Sequence, residues 1–170
     1  CVDEVQAGMG RTGTFFAFEQ LGIHPDLITL AKGLGNGLPI GALLAGERAA
    51  PGFGPGDHGS TFGGNPVAAA AAAAVVEAID EELLAAVRER GAQLSAGLEA
   101  LPGVRAVRGR GLLLGAELDR PVGPVVDACR EQGLLVLSAG PDVLRLTPPL
   151  VVAADEVGQA LQTIESLLDS

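Results

Sequence analysis

The chain has 170 residues, a formal net charge of −10 and a hydrophobic share of 48 %. That composition is globular rather than disordered, and the length suffices for one or two small domains with real cores. The acidity argues against nucleic acid and against an anionic membrane surface as partners, because both are bound through basic footprints. The two cysteines, Cys1 and Cys129, form no CxxC and no spaced Cys/His set, so neither a disulfide framework nor a zinc site is expected. Their usage fits a reducing, cytoplasmic setting. No basic head precedes an apolar run at the N-terminus, so no signal peptide is expected, and the longest apolar run, Val67 to Val76, is too short to cross a bilayer.

In chain order, "CVDEV" has the pattern of the tail of a buried strand. With too little chain before it to form a strand of typical length, the sequence is expected to be the C-terminal part of something longer. "QAGMGRTG" (6–13) is a glycine-rich loop, and "FFAFEQLG" (15–22) suits a short helix. Pro25 and Asp26 punctuate before the apolar strand "LITLA", in which Thr29 is the one polar residue. That strand leads directly into Lys32 and a loop with glycines at 33, 35 and 37. "LPIGALLAG" (38–46) has the pattern of another buried strand, and residues 50–66 form a long loop dense in Gly and Pro, of the kind that is functional or disordered.

A helix is predicted from Asn65 as N-cap and Pro66 as first residue. Its seven alanines, Ala68 to Ala74, suit close packing against a neighbouring element. A second, amphipathic helix carries Leu84, Val87, Gly91, Leu94, Leu98 and Leu101 at steps of three and four. Strands are expected at "VRAVRGRG", "LLLGAEL", "LLVLSAG" and "VLRLTPPL", a helix at "PVVDACREQG" closed by Gly133, and a final helix over 153–170. A boundary near residue 80 divides an α/β part, 1–80, from a smaller α+β unit, 81–170.

The chemistry centres on Lys32. A dinucleotide fingerprint fails, because Gly33-x-Gly35 is followed by Asn36, Gly37 and Leu38, and a P-loop fails because its lysine must follow the glycines. A lysine desolvated at the end of an apolar strand can instead be a nucleophile, since burial disfavours its charged form, and such lysines form Schiff bases with carbonyls, including pyridoxal 5'-phosphate (PLP). A PLP site also needs an acid at the ring nitrogen, donors for the phosphate and a cation for the substrate carboxylate. Asp3, "HGSTFGGNP" and the lone Arg145 in "VLRLTPPL" are the candidates.

Taken singly, these residues have structural alternatives. Lys32 can be a strand-end lysine reaching water, Asp3 a turn cap, Ser60 and Thr61 turn hydroxyls, Arg145 half of a salt bridge, and Glu4 an acid that only orients its loop. Arg11 is expected to brace its loop, Arg108 and Arg110 to be solvated or bracing, His24 and His58 to be structural, and Cys129 to be a small apolar helix residue.

In order along the chain, "DEVQAGMGRTG", "PDLITLAKGLGNGLPIGA", "HGSTFGGNP", "VRGRGLLLGAEL" and "LRLTPPL" resemble the class-III (ornithine-type) PLP-dependent aminotransferases. The resemblance implies a fold-type-I enzyme, with a large domain around a mostly parallel sheet and a small C-terminal α+β domain. It implies a homodimer with sites at the subunit interface, acting on amino acid and 2-oxo acid substrates. It casts Lys32 as the lysine that carries PLP and moves the proton. Asp3 would be the partner of the ring nitrogen, with Glu4 beside it, Val5 as packing on the ring and Gln6 as reaching its phenolic oxygen. Thr61 would bind the phosphate of the partner subunit's PLP, Ser60 would lie near the substrate, and Arg145 would hold the substrate carboxylate. It also places a phosphate loop, a ring-stacking aromatic and a second substrate arginine before Asp3, outside these 170 residues, so little turnover is expected of this chain alone.

Overall fold

The computed structural model describes residues 1–169; Ser170, the last residue of the expected closing helix, lies outside them. The chain divides into two compact units, Cys1–Leu84 and the remainder from Ala85.

The first unit holds a three-stranded sheet in the order β1 (Val2–Asp3), β2 (Leu27–Leu30), β3 (Ala42–Ala45). β1 runs parallel to β2, with Val2 opposite Ile28 and Asp3 opposite Thr29. β3 returns antiparallel to β2. Ile28 and Leu30 face a small core with Met9, Leu34 and Ala72, bordered by Phe15, Phe16, Val75 and Ile79. "FFAFEQLG" forms a 3-10 turn, Ala17–Leu21. "LPIGALLAG" shortens to β3, whose Leu43 and Leu44 are 46 % and 44 % exposed, contrary to the buried strand expected. β3 is an edge strand that pairs with β2 alone.

Helix α1 (Pro66–Ala78) starts as expected, with Asn65 Oδ1 accepting from the Ala68 amide at 2.9 Å. Of its alanines only Ala68 and Ala72 are buried. They lie one turn apart, and α1 packs against the turn Lys32–Leu34. The alanine run thus brings a helix close beneath the loop that carries Lys32. Helix α2 (Glu81–Glu99) follows.

The second unit has a four-stranded antiparallel sheet, β4 (Val104–Arg110), β5 (Leu113–Leu118), β7 (Val143–Leu146) and β6 (Leu137–Ser138), in that spatial order. Leu114, Ala116 and Leu118 of β5 and Leu144 and Leu146 of β7 alternate into the core. They meet Leu94 and Leu98 of α2, Val125 and Cys129 of α3 (Val122–Glu131), and Val157 and Ile164 of α4 (Ala154–Leu168). Only two residues of "LLVLSAG" are strand, since β6 is an edge strand that pairs on one side alone. Cys129 is fully buried, and burial raises its thiol above the ordinary value. Arg108 pairs with Glu117 across β4 and β5. Among the described residues, no helix is long and apolar enough to cross a membrane.

Gly91 lets α2 touch the β4–β5 turn. A Cβ there would lie 2.4 Å from the carbonyl oxygen of Gly111 and 2.6 Å from its carbon. Gly91→Ala is therefore expected to destabilise the second unit despite a helix-propensity gain of up to ~1 kcal/mol. Overpacking against backbone costs about 1–3 kcal/mol, which leaves a net loss on the order of 1–2 kcal/mol, read as a lower urea midpoint.

Candidate functional site

The parallel register of β1 and β2 determines the site. With Asp3 opposite Thr29, both strands end at the same edge of the sheet, and the chain turns out of each within three residues. Leaving β1, Asp3 Oδ1 accepts from the Val5 amide at 2.9 Å and from Thr29 Oγ1 at 3.3 Å. Leaving β2, Ala31 is still extended, but Lys32 adopts φ 44°. A non-glycine residue in the left-handed region is uncommon and costs on the order of 1–3 kcal/mol. The left-handed turn gives Lys32 a direction that β2 alone would not, and its Nζ donates to Gln6 Oε1 at 2.6 Å.

The glycines after Lys32 serve this turn. A Cβ at Gly35 would lie 2.2 Å from the Leu38 carbonyl oxygen, and Gly37 has φ 109°. The tight turn rests on Leu34, which is buried against α1.

Glu4 is 3 % exposed. Its Oε2 accepts from the Ala17 amide at 3.0 Å and its Oε1 from the Phe18 amide at 2.9 Å. Both oxygens are therefore spent on the first turn of Ala17–Leu21, whose leading amides have no partner within the turn. Glu4 closes the glycine-rich loop onto the strand end that holds Asp3. Gly8 fits in the same fold, where a Cβ would lie 2.9 Å from the Glu4 carbonyl oxygen. Arg11 is partly buried in this loop, and desolvation lowers its guanidinium from the ordinary value without neutralising it.

Asp3, Glu4, Val5, Gln6 and Lys32 thus belong to one strand-end cluster. Lys32 itself is exposed, contrary to the expected desolvation. An apolar strand leads up to it, but the turn that follows leaves the residue open to solvent.

Ser60 and Thr61 lie apart from these contacts, in the exposed loop before α1. Ser60 Oγ accepts from the Gly63 amide at 2.8 Å and shapes the turn, while the Thr61 hydroxyl has no partner among the described residues. Arg145 belongs to the second unit. It lies on the β7 face opposite Leu144 and Leu146, beside Gly115 of β5. Its Nε is buried and has no hydrogen-bond partner among the described residues. The nearby acid on β5, Glu117, is already paired with Arg108. A guanidinium left without an anion is a ready donor to a carboxylate.

Sequence reasoning overlooked Thr29, although its signal was present as the one polar side chain in an apolar strand. The donor set of the first unit matches what PLP requires in kind: a primary amine on a strained turn, a carboxylate with one oxygen unengaged, and a side-chain amide within reach of the amine. Among the described residues no cluster of His, Cys, Asp and Glu suits a metal.

A family model described as aminotransferase class-III matches residues 1–168. The acetylornithine aminotransferase of Gloeobacter violaceus is 56 % identical over 98 % of this chain and 43 % of its own length. That of Corynebacterium efficiens is 52 % identical over 98 % and 42 %. Among solved structures, N-acetylornithine aminotransferase from Stenotrophomonas maltophilia has 43 % identity and a TM-score of 0.86 over 98 % of this chain and 46 % of its own. Plasmodium falciparum ornithine δ-aminotransferase has 36 % identity and a TM-score of 0.88 over 98 % and 45 %. The chain therefore spans less than half the length of the proteins it matches.

Replacing Glu4 by alanine is expected to leave the Ala17 and Phe18 amides without acceptors, at a cost of about 2–3 kcal/mol. Thermal unfolding of Glu4→Ala against the parent measures it, and an unchanged midpoint would contradict the bracing contact.

Proposed function

The chain belongs to the class-III aminotransferase family, and from that premise we propose that it carries the catalytic lysine of an acetylornithine aminotransferase. The reaction moves the terminal amino group of N-acetylornithine to 2-oxoglutarate, giving N-acetylglutamate semialdehyde and glutamate. Class-III aminotransferases depend on PLP. The observation that carries the reading is the strand-end cluster, in which Lys32 Nζ lies 2.6 Å from Gln6 Oε1, beside a carboxylate fixed on one oxygen.

When bound, PLP supplies an aldehyde for the amine and a ring that accepts the electrons released at the substrate carbon. Lys32 Nζ holds the cofactor and afterwards takes and returns the proton at that carbon. Asp3 holds the ring nitrogen protonated through its free oxygen, Oδ2. Val5 packs on the ring, and Gln6 donates to the phenolic oxygen with the amide nitrogen left over from its contact with Lys32. Glu4 acts on the cofactor only by holding this loop, since both its oxygens are engaged. Arg145 binds the substrate carboxylate bidentately, and Ser60 lies beside the substrate. The enzyme is a cytoplasmic homodimer in which Thr61 serves the phosphate of the partner's cofactor.

The acetylornithine assignment draws support from relatives of that name at 45–56 % identity. A related reading keeps the same site and changes the donor to ornithine, succinylornithine or 4-aminobutyrate; the ornithine aminotransferase structure at 36 % identity favours ornithine among these. An amine-donor panel on the full-length protein separates them. N-acetylornithine is expected to have the highest kcat/KM, and an equal value with 4-aminobutyrate would contradict the assignment.

Lys32→Ala is expected to reduce kcat on the order of 10²–10⁴-fold, the range for a positioned proton carrier. Arg145→Gln is expected to raise the KM of both substrates about tenfold or more, the loss of a hydrogen bond to a charged group.

A further inference from the structure

The function proposed above leaves Thr29 without a task, yet its position is specific. In Leu27–Ala31 it is the only polar side chain. Ile28 and Leu30 face the core, so Thr29 points to the other face of the sheet by strand alternation. On that face its direct neighbour in the parallel register is Asp3. The hydroxyl donates to Asp3 Oδ1 at 3.3 Å, the same oxygen that takes the Val5 amide at 2.9 Å. Among the described residues the Thr29 side chain makes no other hydrogen bond.

The consequence lies in the geometry of a carboxylate. With one donor, a carboxylate can still rotate about its last torsion and present either oxygen. Two donors converging from different elements fix its plane. One is the amide two residues along its own loop, and the other is a hydroxyl on the neighbouring strand. With Oδ1 engaged twice, Oδ2 is the oxygen left to face a ligand. The 3.3 Å separation is long for a hydroxyl donor and leaves room to tighten when Oδ2 gains a cationic partner, as contacts in ligand-free sites do.

We infer that Thr29 is a positioning residue for Asp3, holding Oδ1 so that Oδ2 faces the protonated ring nitrogen of the cofactor. This rests on the role proposed for Asp3. It acts across the sheet, from β2 to β1, and links the carboxylate to the strand that also delivers Lys32 three residues later.

The test compares the full-length parent with Thr29→Val, Thr29→Ala and Thr29→Ser. PLP affinity is read by titration of cofactor-free protein, and the pH dependence of the bound cofactor's visible absorbance is read alongside thermal unfolding. Val and Ala remove the hydroxyl with and without its volume. Both are expected to weaken PLP binding roughly five- to tenfold, the size of one ordinary hydrogen bond, as the long 3.3 Å contact implies, and to shift the absorbance–pH profile in the same direction. Thr29→Ser is expected to restore both within about twofold. If Val and Ala bind PLP as the parent does with an unshifted profile, the inference is wrong. It is also wrong if Ser, which keeps the hydroxyl, binds PLP as weakly as Val and Ala, because the hydroxyl would then not account for the loss. A parent that fails to bind PLP overturns the proposed function and this inference together, so the two failures are distinguishable. Should Val prevent folding, the Ala and Ser pair decides alone.

Discussion

The site depends on one hydrogen-bond register. Because β1 and β2 pair in parallel with Val2 opposite Ile28 and Asp3 opposite Thr29, two segments far apart in sequence end at one sheet edge and release their side chains there. A slip of one residue would send Asp3 to the other face of the sheet and carry it away from Thr29. The register is pinned from both sides. On one face Ile28 and Leu30 join the core with Met9 and Leu34. On the other, Asp3, Val5 and Thr29 share a single carboxylate oxygen.

Around that register the sequence adds local devices with separate physical causes. Glu4 accepts from the two leading amides of a 3-10 turn and shuts the glycine-rich loop. Ala68 and Ala72, each small enough for close approach, seat α1 against the turn at Lys32. Gly35 leaves space for the Leu38 carbonyl, which a side chain would occupy. Lys32 itself carries the backbone strain, and the packing of these neighbours is what opposes its relaxation. In the second unit the same logic governs Arg145. The Arg108–Glu117 pair consumes the nearby acid and leaves the guanidinium available.

Much of this was legible in the sequence, and unevenly so. Local signals transferred directly: Asn65-Pro66 starts α1, and the three- and four-residue spacing from Leu84 marks α2. The order of the motifs identified the family, which the class-III match over residues 1–168 bears out. Burial transferred poorly, because it is a property of neighbours rather than of the residue. "LPIGALLAG" has the composition of an interior strand yet lies at a sheet edge, and Lys32 follows an apolar run yet is exposed. Glu4 and Thr29 were hard to assign for a related reason. Their partners, the Ala17 and Phe18 amides and Asp3 across the sheet, are set by folding and leave no trace in residue spacing.

The most direct measurement is peptide mapping after incubation with PLP and reduction with borohydride, with an Asp3→Asn variant alongside. The account predicts a single pyridoxyl adduct, on Lys32, with lower occupancy when Asp3 is changed. Adducts spread over surface amines, or none on Lys32, would contradict the claim that the register of β1 and β2 builds a cofactor site around this lysine.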